Sequence, residues 1–262
     1  MIGAPAGFSD HFSGHASDYA EARPGYPDAL FDWLAAQCSA RGMAWDAGCG
    51  NGQASVALGD RFDAVFATDP SAPQVASATL HPNLRYAVEP AEHCSLPDGS
   101  ADLVTVAQAY HWFAHDAFCA EARRVLKPGG VIALWTYAES TVSPAVDAVF
   151  AYLNDTLVVG DWPPEREHVV NRYRDLPFEF ACIAAPEFTM HCDWTVSQYL
   201  AYLRSWSASQ RYLKRTGHDP VAGIAADLAR AWGDPEQQRA VRWPLSLLAG
   251  NKPGSGPGKG AE

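Results

Sequence analysis

The sequence predicts an α/β protein built on a doubly wound, mostly parallel sheet with helices on both faces. Three observations carry that prediction. Short apolar runs alternate with helical patterns through the first 140 residues. The first run feeds a glycine-rich turn, and the second ends in Asp69-Pro70. Alternation of this kind implies right-handed crossovers between parallel strands.

The elements follow in order. Residues 26–40 read as a helix, with Pro27 near its start and Leu30, Phe31 and Leu34 at helical spacing. Residues 43–47 form a buried strand, and 52–59 the helix after it. A second strand lies at 63–68, and a helix is expected over 71–80 with Ser71 near its cap. Strands follow at 84–88 and 102–107; the latter, DLVTVA, is apolar and β-branched, as a strand covered on both faces should be. Residues 114–126 are helical and stop at Lys127-Pro128-Gly129-Gly130, and a fifth strand spans 131–137.

The second half reads differently. Helices are expected at 143–160, 165–173, 197–206 and 220–232, and strands at 187–194 and 240–248. The expected layout is a single domain over 1–250. Its core covers about 27–140 plus the strands near 187–194 and 240–248. A helical cap comes from 1–26, 143–175 and 197–232. The Gly- and Pro-rich stretch 251–262 reads as a flexible tail.

Composition narrows the function classes. The 262 residues are 48% hydrophobic and 19% charged, as in an ordinary globular protein. The net charge is -11 and the basic residues are scattered, which speaks against nucleic acid as the partner. No apolar run has the length of a bilayer span, and the N-terminus lacks a leader pattern. A cytoplasmic enzyme, monomer or homodimer, with no membrane partner is the expectation. Six cysteines at 38, 49, 94, 119, 182 and 192 form no C-x-x-C pair. That spacing predicts free thiols, mostly core fillers, and no metal site.

The most informative stretch is DAGCGNGQ at 46–53, between a predicted strand and a predicted helix. Glycines allow a sharp turn and close approach of a ligand to the main chain. A dinucleotide fingerprint is G-x-G-x-x-G. This loop, with Gly48, Cys49 and Gly50 at its centre, is G-x-G-x-G with Asp46 before it. S-adenosylmethionine (SAM) has no pyrophosphate, but it carries an ammonium, a carboxylate, a sulfonium and a ribose. Asp46 suits the cationic end, directly or through water. Asp69 at the end of the second strand suits ribose hydroxyls and does not by itself separate NAD from SAM.

Taken together, these segments resemble the class I SAM-dependent methyltransferases. DAGCGNGQ resembles their first motif, and Asp69-Pro70 in ATDPS their second. Ala91-Glu92 followed by LPDGSADLV resembles the segment that passes the adenine, and LKPGG at 126–130 the turn before the fifth strand. The pattern of Phe12, Tyr19, Arg23-Pro24 and Tyr26-Pro27 is similar to that of the trans-aconitate methyltransferase-like subgroup of type 11 enzymes. The segment QAYHWF at 108–113 and the stretches Ser205-Trp206-Ser207 and Trp243-Pro244-Leu245 are also similar to that subgroup. Two departures stand out: His93-Cys94-Ser95 lengthens the adenine segment, and Pro90 stands where relatives often carry an acid.

The resemblance implies a Rossmann-like seven-stranded sheet and SAM as cofactor, with S-adenosylhomocysteine as product. It implies that Tyr19 and Arg23 close over the methionine end, where a guanidinium matches a carboxylate. It places Asp46, Gly48, Cys49, Gly50, Asp69, Pro70, Ala91, Glu92, Gln108 and Trp112 around the cofactor. The expected reaction is in-line methyl transfer to a small-molecule acceptor, with O-methylation of a carboxylate favoured. Such transfer asks mainly for alignment and exclusion of water.

A base is needed only where the acceptor must lose a proton, and His111 after the fourth strand is then the candidate. The alternative is that His111 only packs there. Tyr110 and Trp112 are either a wall beside the methyl group or core. Arg204, Arg211 and Lys214 are candidates for an acidic acceptor, or simply solvated. Rival readings are a silent SAM-binding regulatory module, an NAD-dependent oxidoreductase, which the glycine spacing opposes, and an arsenite methyltransferase, which the scattered cysteines oppose.

Overall fold

The computed structural model describes residues 24–253. Seven strands form one sheet in the order β3-β2-β1-β4-β5-β9-β6. They are β1 (Met43–Ala47), β2 (Ala64–Thr68), β3 (Leu84–Ala87), β4 (Ala101–Ala107), β5 (Leu126–Thr136), β6 (Ala181–Cys182) and β9 (Ser246–Asn251). The first five run parallel, whereas β9 lies antiparallel against β5 and β6 antiparallel against β9. This is the Rossmann-like sheet expected from the sequence.

Side-chain alternation explains the two covered faces. From β4 and β5, Leu103, Val131, Ala133 and Trp135 pack on one side, with Leu30, Phe31 and Leu34 of α1 (Asp28–Gln37) and Leu58 of α2 (Gln53–Gly59). Val104, Val106, Ile132 and Leu134 pack on the other, with Phe118, Ala122 and Val125 of α4 (His115–Val125). The chain returns to the sheet centre between β3 and β4, so β1 and β4 lie side by side. Their carboxyl ends open a crevice, which is where open α/β sheets bind ligands.

A third apolar cluster forms a cap outside the sheet. It gathers α5 (Pro144–Tyr152), α7 (Val196–Arg204), α9 (Pro220–Trp232) and a separate two-stranded ribbon of β7 (Thr189–Trp194) and β8 (Arg239–Pro244). Trp232 and Trp243 are fully buried in it. α6 (Arg166–Val170) and α8 (Ser207–Thr216) complete this half.

Several expectations are corrected. The strand near 187–194 does not join the core sheet; it pairs with β8, because Met190 on one strand and Val241 and Trp243 on the other face the cap core. The stretch 240–248 is two strands rather than one. β8 ends at Pro244, which has no N–H to donate, and the chain steps across to β5 as β9. The helix expected over 71–80 is only α3 (Ala72–Ala76). Ser71 caps it by accepting from Gln74 N, the Ser77 hydroxyl turns back to Gln74 O at 2.9 Å, and Leu80 stands 90% exposed.

The helix expected over 143–160 loosens into a π turn at Leu153–Leu157 and a 3-10 turn at Val159–Asp161. α8 and the short edge strand β6 escaped the sequence reading. The tail begins later than 251: Asn251 ends β9, and the Lys252 ammonium donates to Arg123 O at 2.5 Å and Leu126 O at 2.7 Å. All six cysteines are free thiols, and Cys49, Cys94 and Cys119 are buried.

Asp102, at the start of β4, ties three segments together. Its carboxylate accepts from Gly42 N at 2.9 Å, Met43 N at 3.0 Å and the Lys127 ammonium at 2.7 Å. Its side chain is 3% exposed, whereas that of Lys127 is 40% exposed. Replacing a buried carboxylate strands three donors, while the lysine side can be resolvated. Asp102→Ala is expected to cost about 3 kcal/mol in urea unfolding, and Lys127→Ala less than half of that.

Candidate active site

The glycine loop is drawn against β2. Gly48 N and Cys49 N both donate to Thr68 O, at 2.8 and 3.0 Å. Gly50 N donates to Asp69 Oδ2 at 2.9 Å, and Ser71 N to Asp69 Oδ1 at 2.8 Å. Asp69 thus stitches the loop to the start of α3. Gly48 has φ +69, and a Cβ there would lie 2.7 Å from the Ala109 methyl. Gly52 has φ +88, and a Cβ would overlap the Tyr86 hydroxyl. Only glycine meets both demands, so the main chain presents itself bare at the crevice.

Asp46 is fully buried beneath this loop. Oδ2 accepts the Ser55 hydroxyl at 2.6 Å and Oδ1 the Thr105 hydroxyl at 2.9 Å. The carboxylate therefore joins β1, α2 and β4. Burial pushes its pKa up to about 6, against the pull of Ser55 and Thr105, and the Asp69 charge adds to the rise.

The segment between β3 and β4 closes on itself. Ala91 is buried, and Glu92 Oε1 accepts Ala114 N at 2.8 Å, at the start of α4. The additional residues 93–95 fold into a turn held by two acids. Glu89 accepts Ser95 N at 2.8 Å, and the buried Glu121 accepts Cys94 N at 2.7 Å. Pro90 and Pro70 are half-buried at the crevice side of their strands. Tyr19 and Arg23 lie outside the described residues.

Beyond β4 the chain turns sharply. Gln108 adopts φ +57, unusual for a residue with a side chain. Its N–H donates to Trp135 O at 2.9 Å, its Nε2 to Tyr137 O at 2.8 Å, and its Oε1 accepts from the Thr136 hydroxyl and from Tyr137 N. The amide clamps β4 to β5 and leaves little of itself for a ligand. Tyr110 is fully buried, its hydroxyl donating to Pro177 O at 2.5 Å, so it belongs to the core. Trp112 is half-buried and packs against His111 at 4.8 Å between ring centroids.

Here a cleft of about 90 Å³ opens between sheet and cap. Gln108, His111 and Trp112 line it from the sheet, and Trp162, Arg166, Tyr202 and Trp206 from the cap. His111 Nδ1 lies 2.9 Å from the hydroxyl of buried Tyr173. Burial above all, with help from His168, Arg166 and His115, lowers the His111 pKa to about 3. The imidazole is neutral at physiological pH and a weak base.

The basic residues singled out for an acidic acceptor do not line this cleft. Arg204 pairs with Asp219 at 2.8 Å, Arg211 turns toward Asp161 O, and Lys214 is exposed. Among the described residues the cation in the cleft is Arg166, which the sequence reading missed. The available signal was the spacing Trp162-x-x-x-Arg166, the separation of neighbours on a helical turn.

The raised pKa of Asp46 gives a pH signature. The folded state holds the proton more tightly than the unfolded state does, whose carboxyl titrates near 3.8. The stabilising contribution is complete below that value and is lost as pH rises through about 6. Relative to Asp46→Asn, the wild-type protein is expected to lose about 2 kcal/mol between pH 4 and pH 7, read by urea unfolding at each pH.

Comparison with known proteins agrees with this geometry. Residues 45–134 match the family described as a methyltransferase domain. A protein of Dictyostelium discoideum named as a putative methyltransferase is 31% identical over 258 residues, covering 96% of this chain and 98% of its own. An uncharacterized methyltransferase of Mycobacterium tuberculosis is 36% identical over 125 residues, about half the length of each. A solved structure named as a putative type II methyltransferase, from Anaeromyxobacter dehalogenans, superposes with a TM-score of 0.85 at 47% identity, covering 88% of this chain and 99% of that one. The bare glycine loop under Asp69, at the carboxyl ends of β1 and β2, fits the cofactor that this family uses. By sequence and by fold, the chain belongs to the class I SAM-dependent methyltransferases.

Proposed function

We propose that the enzyme methylates an oxygen of a small-molecule acceptor, most readily a carboxylate, held in the cleft between β4 and the cap. One observation carries this reading: the histidine in the cleft is half-buried, bonded to Tyr173, and too weakly basic to take a proton. A carboxylate nucleophile has no proton to lose, so it needs no base. The aromatic walls of Trp112, Trp162, Tyr202 and Trp206 exclude water and set the acceptor's orientation. The negative charge of the chain and the small cleft support a small molecule over nucleic acid.

In this reading the loop of Gly48, Cys49 and Gly50 holds the methionine end of SAM, and Asp69 with Pro70 faces the ribose. Ala91 and Glu92 flank the adenine, and Tyr19 and Arg23 close over the ligand. Gln108 and Trp112 form the wall toward the acceptor. SAM supplies an electrophilic methyl on a sulfonium that leaves unaided. The chain aligns the acceptor oxygen and keeps water out. With the Tyr173 hydroxyl donating to Nδ1, His111 presents Nε2–H as a fixed hydrogen-bond donor. The N-terminal RP-x-YP pattern supports membership of the trans-aconitate methyltransferase-like subgroup, and the single catalytic unit is taken to span 1–250.

Calorimetry with S-adenosylhomocysteine and NAD tests the cofactor roles. Binding of the first alone is expected, weakened at least tenfold by Asp69→Ala and by Gly50→Val. Transfer of labelled methyl to a panel of small carboxylic acids tests the acceptor. With a carboxylate, kcat is expected to stay flat from pH 6 to 9, and His111→Asn to retain more than a tenth of it. A kcat that climbs tenfold per pH unit would instead point to an acceptor that must be deprotonated.

A further inference from the structure

Arg166 is a guanidinium without a counter-ion in the cleft. Among the described residues no carboxylate comes within ion-pair distance of it. Some other arginines of the chain are paired at close range, as Arg124 is with Glu121 and Arg215 with Asp161, each at 2.7 Å. Arg166 makes one long hydrogen bond, from Nη2 to Asn154 Oδ1 at 3.4 Å. A guanidinium has five donors, so most are unspent. Glu139 and Asp155 act on it only at a distance, and burial is the larger influence, lowering its pKa.

The side chain is nevertheless firmly placed. Its guanidinium carbon lies 3.7 Å from the centre of the Trp162 indole. That indole donates Nε1–H to the buried Asn154 at 3.1 Å and packs on Trp206 at 5.4 Å between centroids. Trp206 in turn packs on Phe150 and Tyr202 of the cap core. A half-buried cation, stacked and aimed by an aromatic column, is preorganised for a planar anion. His111 lines the same cleft.

We infer that Arg166, stacked on Trp162, is the anchor for an oxyanion of the acceptor, a group distinct from the atom that receives the methyl. This rests on the reading of the cleft as the acceptor site. The distinction follows from charge: an oxygen whose lone pairs are taken by a guanidinium fork is a poor nucleophile. The anchored group positions, and a second group reacts. The acceptor thus carries at least two polar ends, one a carboxylate or phosphate that keeps its charge in the product. Arg166 is a positioning residue by this account, and Arg204, Arg211 and Lys214 have no part in it.

The test is calorimetry on the full chain saturated with S-adenosylhomocysteine, using succinate and inorganic phosphate as probes. Succinate is expected to bind in the millimolar range, with Arg166→Gln weakening it at least tenfold and Arg166→Lys restoring part of the loss. The affinity for S-adenosylhomocysteine should change less than twofold in both variants, which shows that they fold. Phosphate bound in place of succinate, with the same dependence on Arg166, upholds the anchor and assigns it to a phosphorylated acceptor. Equal binding by wild type and Arg166→Gln, or no binding of either probe by wild type, overturns it. Arg166-dependent binding beside a kcat that climbs with pH would overturn the carboxylate reaction and leave the anchor standing.

Discussion

Much of the molecule depends on the buried carboxylate of Asp46. It sits where β1 ends, and its two oxygens reach hydroxyls on α2 and β4. Those are the elements that part at the crevice. A charge with no exposure is costly, and it is tolerated because both oxygens are satisfied. In return the loop after β1 is held in one conformation, bonded to Thr68 and Asp69 along one side. The other parts of the site are arranged about that edge: Gln108 clamps β4 to β5 on one flank, and Glu92 is fastened to the start of α4 on the other.

The core of this arrangement was legible because its parts are contiguous. The loop at 46–53 is read in one glance, and its glycines are needed for reasons any sequence can display: left-handed backbone and no room for a side chain. Asp69 was legible by its place at a strand end. The cap was less so. The strand at Thr189–Trp194 alternates in the same way whether it packs on a central sheet or in a ribbon of its own, and alternation does not name a partner. Arg166 lay further out of reach. Its interest comes from the carboxylates that are not beside it, and that is a property of the folded chain. Arg204 and Arg211 looked equivalent in sequence, yet they are occupied by neighbours brought in from distant positions.

His111 shows the same limit in the other direction. It follows β4 and lines the cleft, but its chemistry is set by surroundings drawn from several elements. Tyr173 comes from the segment after α6, and protonation is opposed by burial first and by Arg166 after it. A residue that looks like a base by type and place becomes a neutral hydrogen-bonding group by environment. The aromatic content of the second half follows suit: Trp232, Trp243 and Tyr199 build the cap, and Trp162, Tyr202 and Trp206 are left to face the cleft.

The path of the chain through the cap has a mechanical consequence. It leaves the sheet after β5 and returns at β9, the neighbouring strand, but on the way it drops back to add β6 to the far edge of β9. The bridge between Thr141 and Arg242 adds a further seam at the root. A body sewn down at several points is not a lid on one hinge. Domains exchanged between relatives to alter specificity would have to cross this seam more than once. Side-chain substitution within the cleft, which leaves the stitching intact, is the simpler route by which such a scaffold can drift from one acceptor to another.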